Sequence, residues 1–144
     1  MLVQQILKSK ADDGVVTVLP GTSVAQVAEL LSARRIGAVI VSREGKVAEG
    51  IVSERDIVRE LGRRGPSCLA DRVEAIMTAR LVSCRRGDST HDVLTKMTEG
   101  RFRHMPVIEE GEMVGLISIG DVVKARLAEL ATEKEALEGM IKGF

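Results

Sequence analysis

Four side chains carry the chemistry this sequence offers, and they recur at one spacing: Ser53 with Asp56, and Ser118 with Asp121. Each pair closes a heptapeptide. Gly50-Ile51-Val52-Ser53-Glu54-Arg55-Asp56 and Gly115-Leu116-Ile117-Ser118-Ile119-Gly120-Asp121 both read Gly, two aliphatics, Ser, two variable residues, Asp, and they stand 65 residues apart. The chain is therefore a duplicated unit. A Ser or Asp where a strand becomes a helix sits beside unpaired N–H groups and the positive end of the helix dipole, a favourable place for an anion. A carboxylate there can also accept both hydroxyls of a ribose, as an acidic side chain does in dinucleotide-binding folds. The same spacing equally makes a capping box with Asp in place of Glu, which needs no ligand. The two readings are compatible, and the heptapeptides alone leave both open.

Cations stand near both motifs. Arg55 precedes Asp56, Arg59 and Lys124 lie three residues after the motif aspartates on the same helix face, and Arg101, Arg103 and His104 cluster ahead of a later strand. Guanidinium forks suit phosphate oxygens, although a solvated, ion-paired face would read the same way. His104 fits either a packed histidine or a ligand contact, and His91 reads as surface. Gly120, which takes the place of Arg55 in the second copy, leaves room for a phosphate against backbone. With no Trp, no Tyr and only Phe102 and Phe144, an aromatic clamp for a base is excluded. A base would lie against Val16, Ile36, Ala38 or Met105 and read backbone groups, while Phe102 is most simply a core residue. No Ser/His/Asp or Cys/His arrangement, Walker loop, dinucleotide fingerprint or metal-spaced histidine pair occurs, so neither enzyme activity nor a metal site is expected.

Composition narrows the class. The chain has 144 residues, 44% of them hydrophobic, with 21 basic residues cancelled by 21 acidic ones. Each half alone would be marginal in size, so the halves should share a core. Zero net charge argues against a broad nucleic-acid footprint. No apolar run approaches the roughly 20 residues that span a bilayer, and Met1 to Lys10 lacks a signal-peptide core, so a cytoplasmic location is expected. Cys68 and Cys84 read as reduced structural thiols.

The elements that must position these residues repeat as well. Val16–Leu19 and Leu81–Cys84 read as short strands. Ser23 with Gln26 and Ser89 with Asp92 mark helix starts, followed by the apolar series Val24, Val27, Ala28, Leu31 and Thr90, Val93, Leu94, Met97. An apolar strand follows in each half (Gly37–Val41, Met105–Ile108). A Gly-bearing hairpin comes next (Arg43-Glu44-Gly45, Glu109-Glu110-Gly111), then the strand carrying the heptapeptide and a second helix. One extra residue in the first hairpin accounts for a shift between the halves. This order predicts an α/β (α+β) fold, strand-helix-strand-strand-helix twice, with small sheets packed by helices. The expected organisation is residues 1–64 as the first repeat with an N-terminal helix, 65–71 as linker, 72–130 as the second repeat and 131–144 as a helical extension. Arg72 to Met77 reads as a short helix entering the second half, with Leu2 to Lys8 as its counterpart. In the last helix Val123, Leu127, Leu130, Leu137 and Ile141 step by fours and threes with Lys134 on the seam, a stripe suited to a partner or to packing on its own domain before fraying near Gly139.

On the two heptapeptides, Arg35-Ile36-Gly37-Ala38-Val39 and Phe102-Arg103-His104-Met105-Pro106-Val107, the chain resembles a tandem pair of CBS domains, the regulatory module named after cystathionine β-synthase, over nearly its whole length. The resemblance implies tandem pseudo-twofold repeats with two clefts between them, a disc-shaped homodimer, adenine nucleotides (AMP, ADP, ATP or NAD(H)) as ligands, and an unidentified regulated protein. S-adenosylmethionine and nucleic acid are further ligands of the family, and a ligand-independent scaffold is the alternative. It further implies that each pocket mixes both repeats: Ser118 and Asp121 with Thr17, Ile36, Gly37 and Ala38, and Ser53 and Asp56 with Ser83, Phe102 and His104. The four motif residues would hold ribose. Val16, Thr17, Ile36, Gly37, Ala38, Ser83, Phe102, Met105 and Pro106 would lie at the base, and Arg55, Arg59, Arg101, Arg103, His104, Gly120 and Lys124 at the phosphates.

Overall fold

The computed structural model describes residues 1–10 and 14–142; Phe144 lies outside them. Its elements run α1 (Val3–Ser9), β1 (Thr17–Val18), α2 (Val24–Arg34), β2 (Ala38–Val41), β3 (Gly50–Ser53), α3 (Glu54–Arg64), α4 (Thr90–Gly100), β4 (His104–Glu109), β5 (Glu112–Ser118) and α5 (Ile119–Ile141), with 3₁₀ turns at Pro66–Ala70 and Val73–Ala75. β1 pairs in parallel with β2, and β2 pairs antiparallel with β3. β4 and β5 form the antiparallel counterpart. There the strand expected at Leu81–Cys84 contracts to a parallel bridge between Cys84 and Val107, in which the Cys84 N–H donates to Pro106 O and the Ile108 N–H to Cys84 O.

The duplication is visible residue by residue. Ala38 faces Ser53 and His104 faces Ser118, so equivalent residues lie 66 apart before the hairpin and 65 after it. The second hairpin turns on Glu110 (φ 51°) and Gly111 (φ 80°), two left-handed residues as a type I′ turn requires. The first is a longer loop. There Ser42 Oγ accepts from the Gly45 N–H, and the Glu49 carboxylate accepts from the Arg43 N–H.

Each amphipathic helix buries the stripe its spacing foretells. Val24, Val27 and Leu31 join Val39, Val41, Val52 and Ile57 in one cluster, and Val93 and Met97 join Met105, Val107, Ile117 and Val122 in the other. The two entry segments exchange places. Val3 and Ile6 of α1 are buried in the cluster of the second repeat, while Val73, Ile76 and Met77 pack against that of the first. Two hydrogen-bonded bridges fix the exchange, Leu2 with Ser89 and Ser23 with Arg72. Arg72 to Met77 thus serves the preceding half. A Cβ on Gly50 would collide with the Met77 side chain, so a larger residue at this position in β3 would displace Met77 from the strand.

α2 and α4 each end on a left-handed arginine, Arg35 (φ 52°) and Arg101 (φ 57°), whose N–H groups return to Leu31 O and Met97 O. A non-glycine residue there costs roughly 1 kcal/mol, strain the surrounding fold must carry. Among the described residues no helix is long and apolar enough to cross a membrane.

Candidate functional site

The first motif is a complete capping box. Asp56 Oδ2 accepts the Ser53 N–H at 2.8 Å and the Ser53 hydroxyl at 3.0 Å, and Ser53 Oγ accepts the Asp56 N–H at 3.3 Å. Asp56 Oδ1 receives Arg59 Nη1 at 3.3 Å. The helix start is tied to its own repeat as well, because the Glu54 N–H donates to Gly37 O at 2.9 Å. The cap holds the Asp56 carboxylate in place at the positive end of α3.

A cavity of about 300 Å³ opens on that carboxylate. Ser53, Arg55, Asp56 and Arg59 come from the first repeat; Arg101, Phe102, Arg103, His104 and Pro106 come from the second. Phe102 is thus a wall residue as well as a core neighbour. Its ring lies on Gly100, where a Cβ would collide with it. Among the described residues none of Arg55, Arg101 and Arg103 forms a salt bridge, nor does Arg80 on the facing segment.

That facing segment is what the sequence reading missed. Thr78, Arg80, Leu81 and Val82 line the cavity because Thr78 exchanges two backbone hydrogen bonds with Ile51, at 2.9 and 3.0 Å, and so is pinned beside the motif strand. The strand expected at Leu81–Cys84 takes in only the last two of these residues, and no helical or strand pattern covers Thr78 and Arg80. The repeat offset of 66 carries Val16 to Val82, and that arithmetic was the available signal.

His104 sits where the repeats meet. A Cβ on Gly37 would come within 3.0 Å of its imidazole Cε1 and Nε2, so the ring rests directly on the first repeat. Burial holds its pKa below the ordinary value, and Lys10 and Arg103 push the same way, outweighing Glu54 and Asp121. The ring is therefore neutral near pH 7.

The second motif is capped in the same manner. Asp121 Oδ2 accepts the Ser118 N–H at 2.9 Å, Ser118 Oγ accepts the Asp121 N–H at 3.1 Å, and the Ile119 N–H donates to Arg103 O. Its carboxylate, however, already holds a cation. Lys10 Nζ donates to Asp121 Oδ2 at 2.9 Å and to Leu116 O at 2.8 Å. Burial raises the Asp121 pKa, but the Ser118 backbone N–H and Lys10 more than offset it and leave it below the ordinary value.

Several expected contacts fall elsewhere. Met105 is fully buried in the second core and Ala38 is 4% exposed in the sheet, because both strands turn these side chains inward; neither offers surface to a base. Ser83 lines a separate groove with Cys84 and Asp88, away from Ser53. Ile36 and Gly37 border a shallow hollow beside Glu54 and Val58 of their own repeat. Thr17 is engaged with Ile40 in the sheet, and Val16 O accepts the Ile40 N–H. Gly120 and Lys124 are exposed on α5. Among the described residues no group of three His, Cys, Asp or Glu side chains could hold a metal ion.

The model of the CBS domain family matches residues 5–63 and 73–128. A CBS-domain containing protein of Agrobacterium tumefaciens superposes with a TM-score of 0.83 at 43% identity, over 88% of this chain and 99% of its own. A CBS domain protein of Pyrobaculum aerophilum complexed with AMP gives 0.77 at 28% identity, over 92% and 99%. A mitochondrial CBS domain-containing protein of Arabidopsis thaliana is 30% identical over 98% of this chain and 72% of its own length. Of another CBS protein from the same plant the chain spans only 24%. Two family matches, each covering one copy of the duplicated heptapeptide and its flanking elements, identify the chain as a member of the CBS domain family.

Proposed function

We propose that the chain is a regulatory module that binds an adenine nucleotide in the cleft between Asp56 and Phe102. The observation that carries this reading is the cleft's composition. A capped carboxylate suits ribose hydroxyls, an apolar wall of Ile51, Leu81, Val82 and Phe102 suits a base, and four arginines that form no salt bridge among the described residues suit phosphates. AMP in the Pyrobaculum relative supports it. The arginines favour AMP, ADP, ATP or NAD(H) over S-adenosylmethionine, whose sulfonium is a cation. The role is non-catalytic: occupancy of the cleft would report energy or redox status. The ligand must prefer one arrangement of the repeats, a coupling of typically about 1–3 kcal/mol, and the change is read in the cytoplasm by a partner protein or through the homodimer.

Titration calorimetry with AMP, ATP, NADH and S-adenosylmethionine tests it. Asp56→Asn keeps an oxygen for the cap and removes the charge, so it should fold and yet bind nucleotide about tenfold more weakly or worse, as loss of a hydrogen bond to a charged group of about 1.5–3 kcal/mol implies. No heat with any ligand leaves the second reading, a scaffold in which both motifs only cap helices.

A further inference from the structure

α5 leaves the body of the protein carrying an unpartnered apolar stripe. Val122 and Ala125 face the core, and Glu129 is held by Thr90 Oγ1 at 2.6 Å and by Arg126 at 2.7 Å. Beyond Leu130 nearly every residue to Lys142 is exposed. On another side of the helix lie Val123, Leu127, Leu130, Leu137 and Ile141, at 40, 62, 45, 60 and 85% exposure. Lys134 completes the series.

We infer that this stripe pairs with the same stripe of a second copy of the chain, with the two helices antiparallel. The spacing 4, 3, 4, 3, 4 reads the same in both directions, so a dyad at Thr132 sets Val123 against Ile141, Leu127 against Leu137 and Leu130 against Lys134. Every large apolar residue of the stripe finds a partner. Each projecting end then lies along the domain-proximal turns of the other helix, where the stripe is also bare.

Charge selects the direction. Parallel pairing would place Lys134 against Lys134 in the seam and Glu133 against Glu138 on both flanks, in the coiled-coil pattern of flanking positions. Antiparallel pairing lays the Lys134 stem over Leu130 with its ammonium reaching solvent, and sets Lys124 against Glu138 twice. One like-charged contact remains, Glu133 across the dyad. Among the described residues Lys124 forms no salt bridge within its own chain, and the Lys134–Glu138 approach is a loose 3.9 Å.

Sedimentation of the full chain and disulfide trapping test the inference together. The parent should sediment as a dimer. Leu137→Glu, at an exposed position that leaves the fold alone, should weaken it tenfold or more, and Lys134→Leu should tighten it. Mixed Leu127→Cys and Leu137→Cys chains should form a heterodisulfide on oxidation, while Leu127→Cys alone should not self-link. A monomeric parent, an unchanged Leu137→Glu dimer, or a Leu127→Cys homodisulfide would each overturn the pairing.

Discussion

Replacing Lys10 by Met keeps the stem and removes the ammonium from Asp121. The two side chains are 30% and 26% exposed and meet at 2.9 Å, so the pair is neither fully screened nor dry. At an effective dielectric of about 20 the bare attraction is roughly 6 kcal/mol, most of it cancelled by desolvation; charged hydrogen bonds of this kind net about 1.5–3 kcal/mol. Any ribose that takes Asp121 must displace that contact. Lys10→Met should therefore raise affinity at the second motif by about 1–2 kcal/mol, or five- to thirtyfold, and calorimetry should resolve a second nucleotide site that the parent fills poorly. A carbon-detected NMR titration gives a readout free of ligand. The parent Asp121 should titrate below the ordinary carboxylate value and move upward in the variant. Because its folded pKa is depressed, the stability Asp121 contributes is present above its unfolded value of about 3.9 and is lost as pH falls through the folded one; the variant has less to lose. An Asp121 titration unchanged by Lys10→Met, or weaker nucleotide binding at the second motif, would refute the reasoning.

Other consequences follow from the same contacts. His104 has a depressed pKa, so the protein should lose stability as pH falls from about 6.5 toward the folded value, and phosphate binding should draw in a proton. Calorimetry near pH 6.5 in two buffers of different ionisation enthalpy should show that uptake; a heat independent of buffer would contradict it. Ile6→Ala should cost about 2–4 kcal/mol and speed hydrogen exchange in α4 and β5 ahead of α2 and β2, because Ile6 lies in the second core. Equal loosening of both halves would count against the exchanged entry segments. Burial pushes the Cys84 thiol up to about 12, so a thiol reagent at pH 8 should modify that residue only after urea unfolds the chain.

The architecture was legible because the signals were local and came twice. Capping boxes at Ser23, Ser53 and Ser118 and the apolar series along α2 and α4 need no tertiary knowledge. At Ser89 only the hydroxyl bonds, accepting the Asp92 N–H. The strand expected at Leu81–Cys84 is only a bridge at Cys84, since pairing with β4 requires a partner face that the sequence does not display. Residue type singles out Arg55, Arg59, Arg101 and Arg103, and only the resemblance sets Phe102 beside a ligand; all five line the cavity. Residue type could not foretell Thr78 to Val82, placed by two backbone hydrogen bonds to Ile51, or Lys10, which reaches Asp121 from 111 positions away. Met105 and Ala38 are buried in core and sheet, and sequence does not separate them from cleft residues because apolar residues beside a motif look alike whether they face a cleft or a core.

Native mass spectrometry of the purified protein with ATP, set beside Asp56→Asn, tests the central claim most directly. A nucleotide adduct on the parent that is largely lost from the variant, with both chains equally folded, is the expected result. An adduct retained in full by Asp56→Asn, or no adduct on the parent with any adenine nucleotide, would contradict it.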